Sequence, residues 1–382
     1  MKLKTLIKFI IYYFINLLVL PTKEVKPNTL LLIRLDAIGD YVMFRNFIKE
    51  LKDNQEYKNY NITLLGNNAW KDLAEELDSD YIDSFIWLDR KRFNRDFIYR
   101  YKKLTEITSQ GYKMILSPVF SREFFYADAI VKLVKAKEKI GSIGDLSNIK
   151  RWQKNISDKY YDKLIKADEN IIFEFYRNKE FFENLLETKL DIVKPTIQAQ
   201  HKKLGFELPN NYAILFIGAS VNYRKWDIEK FAKAGEYLKE KYGYGVILCG
   251  GPEDNEDAKE FEKKYDGEFL NLVGKTSLVE LLTVIYNGNL MISNETSAPH
   301  FAVALEMKNV FVISNGNHYG RFTPYPKEVS QNYHVVYHPE IEKDLDDYKK
   351  LSNSYGYGSD LDINDIKTND VISKINTILK IV

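Results

Sequence analysis

Five short segments place together the residue types that bind or transfer charged groups. The first runs Arg34-Leu35-Asp36-Ala37-Ile38-Gly39-Asp40, at the end of an apolar stretch. Ligands of open parallel sheets bind at the carboxyl ends of strands. Gly39 lets the backbone pass close to a substrate. Asp40 either caps the following helix or faces the cleft, and Asp36 adds a second carboxylate to the turn. The segment has no G-x-G-x-x-G pattern, which counts against a dinucleotide-dependent oxidoreductase.

Three further segments suit a phosphorylated ligand. Gly218-Ala219-Ser220 is a small-residue turn whose N–H groups can meet phosphate oxygens, followed by the cations Arg224 and Lys225. The other reading is a basic loop at a helix start, although cations there oppose the helix dipole. Gly250-Gly251-Pro252-Glu253-Asp254 is either an ordinary strand-to-helix turn or one whose Glu253 accepts a hydrogen bond from a nucleoside. Ser293-Asn294-Glu295-Thr296-Ser297-Ala298-Pro299-His300 opens a helix and offers hydroxyls and free N–H groups to an anion, or is simply a well-capped helix with a satisfied His300. The fifth segment, Gly320 to Tyr325, reads by itself as a surface loop. Asp78-Ser79-Asp80 has the two-carboxylate pattern of metal-dependent sugar transferases. It falls between a helix and a strand start, and no metal site is expected there.

Short apolar strands alternate with helices in both halves, the pattern of mostly parallel sheets covered on both faces. In the first half the strands are expected at 29–35, 61–65, 84–88, 113–117 and 139–142. Helices are expected at 41–51, 123–134 and 170–187, with 143–168 as an insertion or mobile loop. In the second half the strands are expected at 212–217, 245–249, 269–272, 290–292 and 310–313, with 339–362 irregular and a final amphipathic helix over 366–381. The organisation is α/β with two Rossmann-like domains, at 28–190 and 205–340. A hydrophobic segment precedes them at 1–22, and a closing helix follows at 363–382.

Lys+Arg nearly balances Asp+Glu, for a net charge of +1. That argues against a nucleic-acid binder, and the local run Lys91, Arg92, Arg95 reads as a solvated helix face. The single cysteine, Cys249, ends an apolar strand and cannot form an internal disulfide. Residues 5–20 are almost wholly apolar, with Lys2, Lys4 and Lys8 before or within the run. They are short for a membrane span and lack the small-residue cleavage site of a signal peptide. A helix lying in one leaflet fits best; a helix packed on the protein's own surface is the alternative.

In this order the segments resemble glycosyltransferase family 9, the lipopolysaccharide heptosyltransferases. The family's R-x-x-x-x-G-D turn corresponds to Arg34 through Gly39-Asp40, and its small-residue turn and K-x-W helix start to Gly218-Ala219-Ser220 and Lys225-Trp226. Its G-G-P turn is Gly250-Gly251-Pro252-Glu253. A segment Gly274-Lys275-Thr276-Ser277-Leu278 follows, then Asn294-Glu295-Thr296-Ser297-Ala298-Pro299-His300 and Arg321-Phe322-Thr323-Pro324-Tyr325. The chain departs from the family at Glu295, where Asp is usual, at Ser297-Ala298, where Gly-Pro is common, and at Asp227, where Pro follows the tryptophan.

The resemblance implies the GT-B fold with its site in a cleft between domains, and an inverting transfer that needs no metal or other cofactor. It implies a nucleotide-sugar donor, ADP-heptose among the candidates, and a lipid-linked saccharide acceptor. It makes Asp40 the general base and Lys225 a stabiliser of the departing diphosphate. Gly39, Gly218, Ala219, Ser220, Arg224, Gly251, Glu253, Glu295, Thr296, Ser297, Ala298 and His300 would hold the donor. The closing helix would cross back to the first domain. The implied location is the cytoplasmic face of a bacterial inner membrane, held there by residues 1–20. The alternatives are a nucleotide-sugar epimerase of the same architecture and a non-catalytic scaffold at the membrane.

Overall fold

The structure, a computed structural model, describes residues 3–199 and 202–379. It divides into two compact units. The first comprises residues 1–168 and 177–191, the second 169–176 and 192–382.

The sheet of the first unit has β1 (Thr29–Arg34), β2 (Asn61–Asn67), β3 (Ser84–Leu88), β4 (Tyr112–Ser117), β5 (Ala136–Ser142) and β6 (Lys163–Ile165). Its helices are α1 (Leu3–Leu18), α2 (Ile38–Phe44), α3 (Asn46–Asp53), α4 (Lys71–Leu77), α5 (Arg90–Arg95), α6 (Phe97–Thr108), α7 (Ala127–Leu133) and α8 (Arg151–Ser157), while α9 (Glu174–Leu186) begins in the second unit's stretch of chain and ends in the first's. The sheet of the second unit has β7 (Tyr212–Phe216), β8 (Gly245–Cys249), β9 (Phe269–Asn271), β10 (Leu290–Asn294), β11 (Val310–Ser314) and β12 (Tyr333–Tyr337). Its helices are α10 (Ile228–Tyr242), α11 (Asn255–Lys264), α12 (Leu278–Tyr286), α13 (Ser297–Ala304), α14 (Pro339–Glu342), α15 (Tyr348–Tyr355) and α16 (Thr368–Leu379).

Both sheets are wholly parallel and share one topology. The orders are β3-β2-β1-β4-β5-β6 and β9-β8-β7-β10-β11-β12. This is the doubly wound arrangement, in which the strand order reverses between the first and fourth strands and opens a crevice at their carboxyl ends. The central strands have buried side chains on both faces, which is why β1 and β7 read as unbroken apolar runs rather than alternating ones.

Several expected elements differ. The helix expected at 41–51 is two helices, α2 and α3, meeting at Arg45. The helix expected at 123–134 begins only at Ala127, because the aromatic residues before it pack elsewhere: Phe124 stacks on Phe9 and Phe125 lies edge-on to Tyr12. The stretch 143–168 is ordered and supplies α8 and the sixth strand. Buried Arg122 pins it through Asp158 (2.8 Å), the Ser157 hydroxyl (2.7 Å) and Asp128. In the second unit β12 was not foreseen, and 339–362 holds α14 and α15.

The last helix, expected to cross back to the first domain, packs within the second unit: Val371 and Ile375 join Trp226, Phe231 and Leu238 in one core. Residues 380–382 of that helix, like Lys2, lie outside the described residues. Helix α1 packs on the first unit through Tyr12, Ile15 and Val19. Among the described residues no helix is long and apolar enough to cross a membrane.

Candidate active site

In the first unit, the turn after β1 carries Asp36, Gly39 and Asp40. Buried Arg34 organises it. Its Nε donates to Asp36 (2.9 Å), one terminal nitrogen to Asn178 Oδ1 (2.9 Å) and the other to the Asp40 carbonyl (3.3 Å), and its guanidinium stacks over Phe44. Asp40 lies in the first turn of α2, partly exposed, and its carboxylate accepts the Ala37 N–H at 3.2 Å. It therefore closes the turn from inside the helix rather than capping it from outside.

Asp78 is a structural group. It is buried against Arg45 (2.7 Å) and accepts from the Tyr41 hydroxyl, so its carboxylate is already committed. Among the described residues no group of three His, Cys, Asp or Glu side chains is placed to hold a metal ion.

In the second unit, the expected motifs converge at the carboxyl ends of β7 and β10, the point where strand order reverses. Asn294 joins them: its amide donates to the Ile217 carbonyl (2.7 Å) and accepts the Trp226 N–H (3.0 Å). That fixes the loop carrying Arg224 and Lys225 beside the Gly218-Ala219-Ser220 turn. Arg224 donates to the Ser220 hydroxyl (2.8 Å) and reaches the Glu295 carbonyl (3.4 Å), and its buried Nε has no protein acceptor. Helix α13 starts two residues beyond Glu295. Its N-cap, Thr296, makes no side-chain cap, which leaves the N–H of half-buried Ser297 to a ligand; Ala298 is buried and Pro299 has no N–H to offer. A guanidinium, a hydroxyl and an uncapped helix N-terminus thus meet at one point, an arrangement that attracts a phosphate.

Lys225, expected at the diphosphate, is engaged otherwise. Its ammonium lies 2.6 Å from both Asp254 and Asp257. Burial works against its charge, but these two hydrogen bonds outweigh it and raise the pKa. Asp254 also accepts the Gly251 N–H (2.8 Å) and is packed so closely on Gly218 that a Cβ there would collide with the carboxylate. The two glycine turns are small because this buried carboxylate lies between them. Glu253 is exposed at the rim. His300 is part of the packing, its Nδ1 2.8 Å from the Tyr325 hydroxyl, and burial pushes its pKa down to about 4. Glu295 is buried, accepts from the Ser314 hydroxyl (2.8 Å), and is raised to about 7 by burial despite nearby Arg224.

The profile of glycosyltransferase family 9 (heptosyltransferase) matches residues 103–351. The chain belongs to glycosyltransferase family 9. A search of curated proteins found no match. Among solved structures, the family 9 glycosyltransferase of Veillonella parvula DSM 2008 superposes with a TM-score of 0.69 at 18% identity, covering 94% of this chain and 98% of that one. E. coli heptosyltransferase WaaC, solved with ADP, gives 0.68 at 14% identity over 91% and 99% of the two chains. E. coli ADP-heptose lps heptosyltransferase II gives 0.67 at 16% over 92% and 98%. At these identities the shared property is the GT-B fold.

Two departures of this family 9 glycosyltransferase have structural reasons. Asp227, in place of proline, is the N-cap of α10 and accepts the Glu229 N–H at 2.8 Å. Glu295, one methylene longer than aspartate, reaches Ser314 at the end of β11. The turn after β11 also borders this site, although no motif in the sequence singles it out. Asn315 donates to the Leu361 carbonyl (2.8 Å), Asn317 lies beside Glu295, and His318 is held at φ 57°. A non-glycine residue in the left-handed region at a strand end is a mark of a constrained site. The signal that could have found it is the Asn-Gly-Asn triplet directly after the strand. A cavity of about 590 Å³ opens beside it, lined by Tyr223 and residues 358–362.

Proposed function

We propose that this glycosyltransferase catalyses an inverting, metal-independent transfer from a nucleotide-sugar to a lipid-linked saccharide. Asp40 takes the proton from the acceptor hydroxyl as that oxygen attacks the anomeric carbon. The bond from the anomeric carbon to the diphosphate oxygen breaks, and the leaving diphosphate is stabilised by Arg224, Ser220 and the N-terminus of α13. Lys225 uses two of its three hydrogens on Asp254 and Asp257 and offers the third to a phosphate oxygen. Glu253 receives the nucleoside. ADP-heptose is the donor favoured, since one of the similar structures, E. coli WaaC, was solved with ADP-2-deoxy-2-fluoro heptose. The acceptor's lipid end places the enzyme at the cytoplasmic face of a bacterial inner membrane, with α1 lying in the leaflet surface.

The observation that carries this reading is the convergence of Arg224, Ser220 and the open first turn of α13 at the β7–β10 switch point. The cationic and N–H groups there do the work that a divalent ion does in metal-dependent transferases. The test is nucleotide release from a panel of nucleotide-sugars, with and without a lipid-linked oligosaccharide extract. Acceptor-dependent release from one donor, lost in Asp40→Asn, is the expected result. Nucleotide binding without release from any donor would replace the transferase with a non-catalytic role.

A further inference from the structure

A surface helix of a soluble protein hides its apolar stripe and shows water its polar one, whereas α1 is apolar on both sides. The side facing the protein buries Tyr12 and Ile15 and also carries the polar contacts of the helix. Lys8 donates to the Asn94 side chain, and the Tyr12 hydroxyl donates to the Asn94 carbonyl at 2.7 Å. The guanidinium of buried Arg100 stacks 3.8 Å from the Tyr12 ring centroid. The opposite side presents Ile7, Ile10, Phe14, Leu17 and Leu18, with Phe14 60% and Leu18 66% exposed. These anchors fix the rotation of the helix so that a second apolar side points away from the fold.

The apolar surface does not stop at α1. Phe97, at the start of α6, lies 6.4 Å from the Tyr12 ring, and Phe97, Ile98 and Tyr101 form one exposed face of α6, with Ile98 70% exposed. Cations flank this surface on both sides. Exposed Arg92 and Arg95 bracket Asn94 on α5, next to the Lys8 edge of α1, and Lys132 of α7 lies 5.8 Å from the Tyr13 ring on the other edge. Of the seven cations in residues 90–103, Arg100 is buried and Arg90 and Lys103 are paired with Glu123 and Glu106, while Lys91, Arg92, Arg95 and Lys102 are exposed beside one carboxylate, Asp96, 3.6 Å from Arg92. The basic run that reads from sequence as a solvated helix face therefore borders an exposed apolar one.

We infer that α1 and the start of α6 form a single docking face for an anionic bilayer, with apolar side chains entering the acyl boundary and the α5 arginines meeting lipid phosphates. This rests on the membrane reading above and extends it, from a helix that adheres to a surface that selects lipid charge. Apolar patches of this kind mark interaction sites, and tyrosines and phenylalanines beside cations suit the headgroup level. A second copy of this chain is a poorer occupant, because a two-fold pairing through this face would bring the cationic borders together.

The test is co-sedimentation of the full chain with vesicles of phosphatidylcholine alone or with about a third phosphatidylglycerol. Each basic side chain at an anionic surface is worth about fivefold in binding. Arg92→Gln with Arg95→Gln should therefore weaken binding to the anionic vesicles by about 25-fold, to near the zwitterionic level. Ile98→Asp should weaken binding to both vesicles, with nucleotide binding unchanged. If Leu17→Asp abolishes vesicle binding while Ile98→Asp and the arginine pair change nothing, the composite anionic face is wrong and α1 alone is the membrane contact. If the wild type binds neither vesicle, the membrane reading fails as well. A dimer dissolved by Leu17→Asp, without vesicle binding, would make this face a self-association surface and overturn the inference.

Discussion

The ammonium of Lys225 lies 2.6 Å from the carboxylate of Asp254, a side chain 1% exposed that also holds the Gly251 N–H. The lysine thus holds in place the carboxylate that joins the two glycine turns. Lys225→Ala leaves a buried carboxylate without its cation, so it should cost about 1–3 kcal/mol of stability, read as a lower denaturant midpoint. Turnover should fall and donor binding weaken in the same variant. An unchanged midpoint would show that the pair does not form in solution.

Arg224 is the cation aimed at the uncapped first turn of α13. A hydrogen bond to a charged group is worth about 1.5–3 kcal/mol, so Arg224→Gln should weaken ADP binding by roughly 10- to 150-fold. Calorimetric titration with ADP reads this directly. A loss smaller than about twofold would remove Arg224 from the phosphate site.

Asp40→Asn keeps an oxygen able to accept the Ala37 N–H, so the turn and overall stability should be preserved. The base is lost, and turnover should drop by about 10²–10⁴ with ADP affinity unchanged. Parallel measurement of release rate and ADP affinity separates the two, and near-normal turnover would sink the assignment.

Stability should pass through a maximum close to pH 6–7 on account of the buried groups of the second unit. Glu295 is raised to about 7 from 4.5, chiefly by burial, so its contribution is full below about pH 4.5 and is lost as pH rises through 7. His300 and His318 are lowered to about 4 from 6.5 by burial, so stability is lost as pH falls from 6.5 towards 4. Glu295→Gln mimics the protonated acid and should flatten the alkaline limb, gaining up to about 3 kcal/mol at pH 8. Melting temperatures across pH 4–9 check both limbs, and an alkaline limb unchanged by Glu295→Gln would place the titrating group elsewhere.

The loops after β1, β7 and β10 were legible because their residue types are unusual where they stand: a glycine with a carboxylate, a small-residue turn before two cations, a run of hydroxyl residues at a helix start. The architecture was legible because each central strand is apolar along its whole length. Other elements were not. Strand β6 is three residues long, too short for a periodic signal, and exists because Arg122 gathers Asp128, Asp158 and Ser157 around itself. The delayed start of α7 comes from Phe124 and Phe125 packing under α1, a contact between segments more than a hundred residues apart in the chain.

The sequence by itself determined the two parallel sheets, the order of the loop motifs and the family. Each of these depends on local periodicity or on spacing within a short segment. The tertiary structure alone decided how two adjacent cations are engaged. Lys225 is paired across 29 residues with Asp254, whereas Arg224 reaches across 71 residues to the carbonyl of Glu295. It alone decided, too, that α1 turns Lys8 and Tyr12 inwards and leaves Phe14 and Leu18 exposed, because Asn94 and Arg100, which hold the inward side, are more than eighty residues away. Adjacent residues of one type are equivalent to a pattern reading; the partners that the fold brings within hydrogen-bond distance make them different.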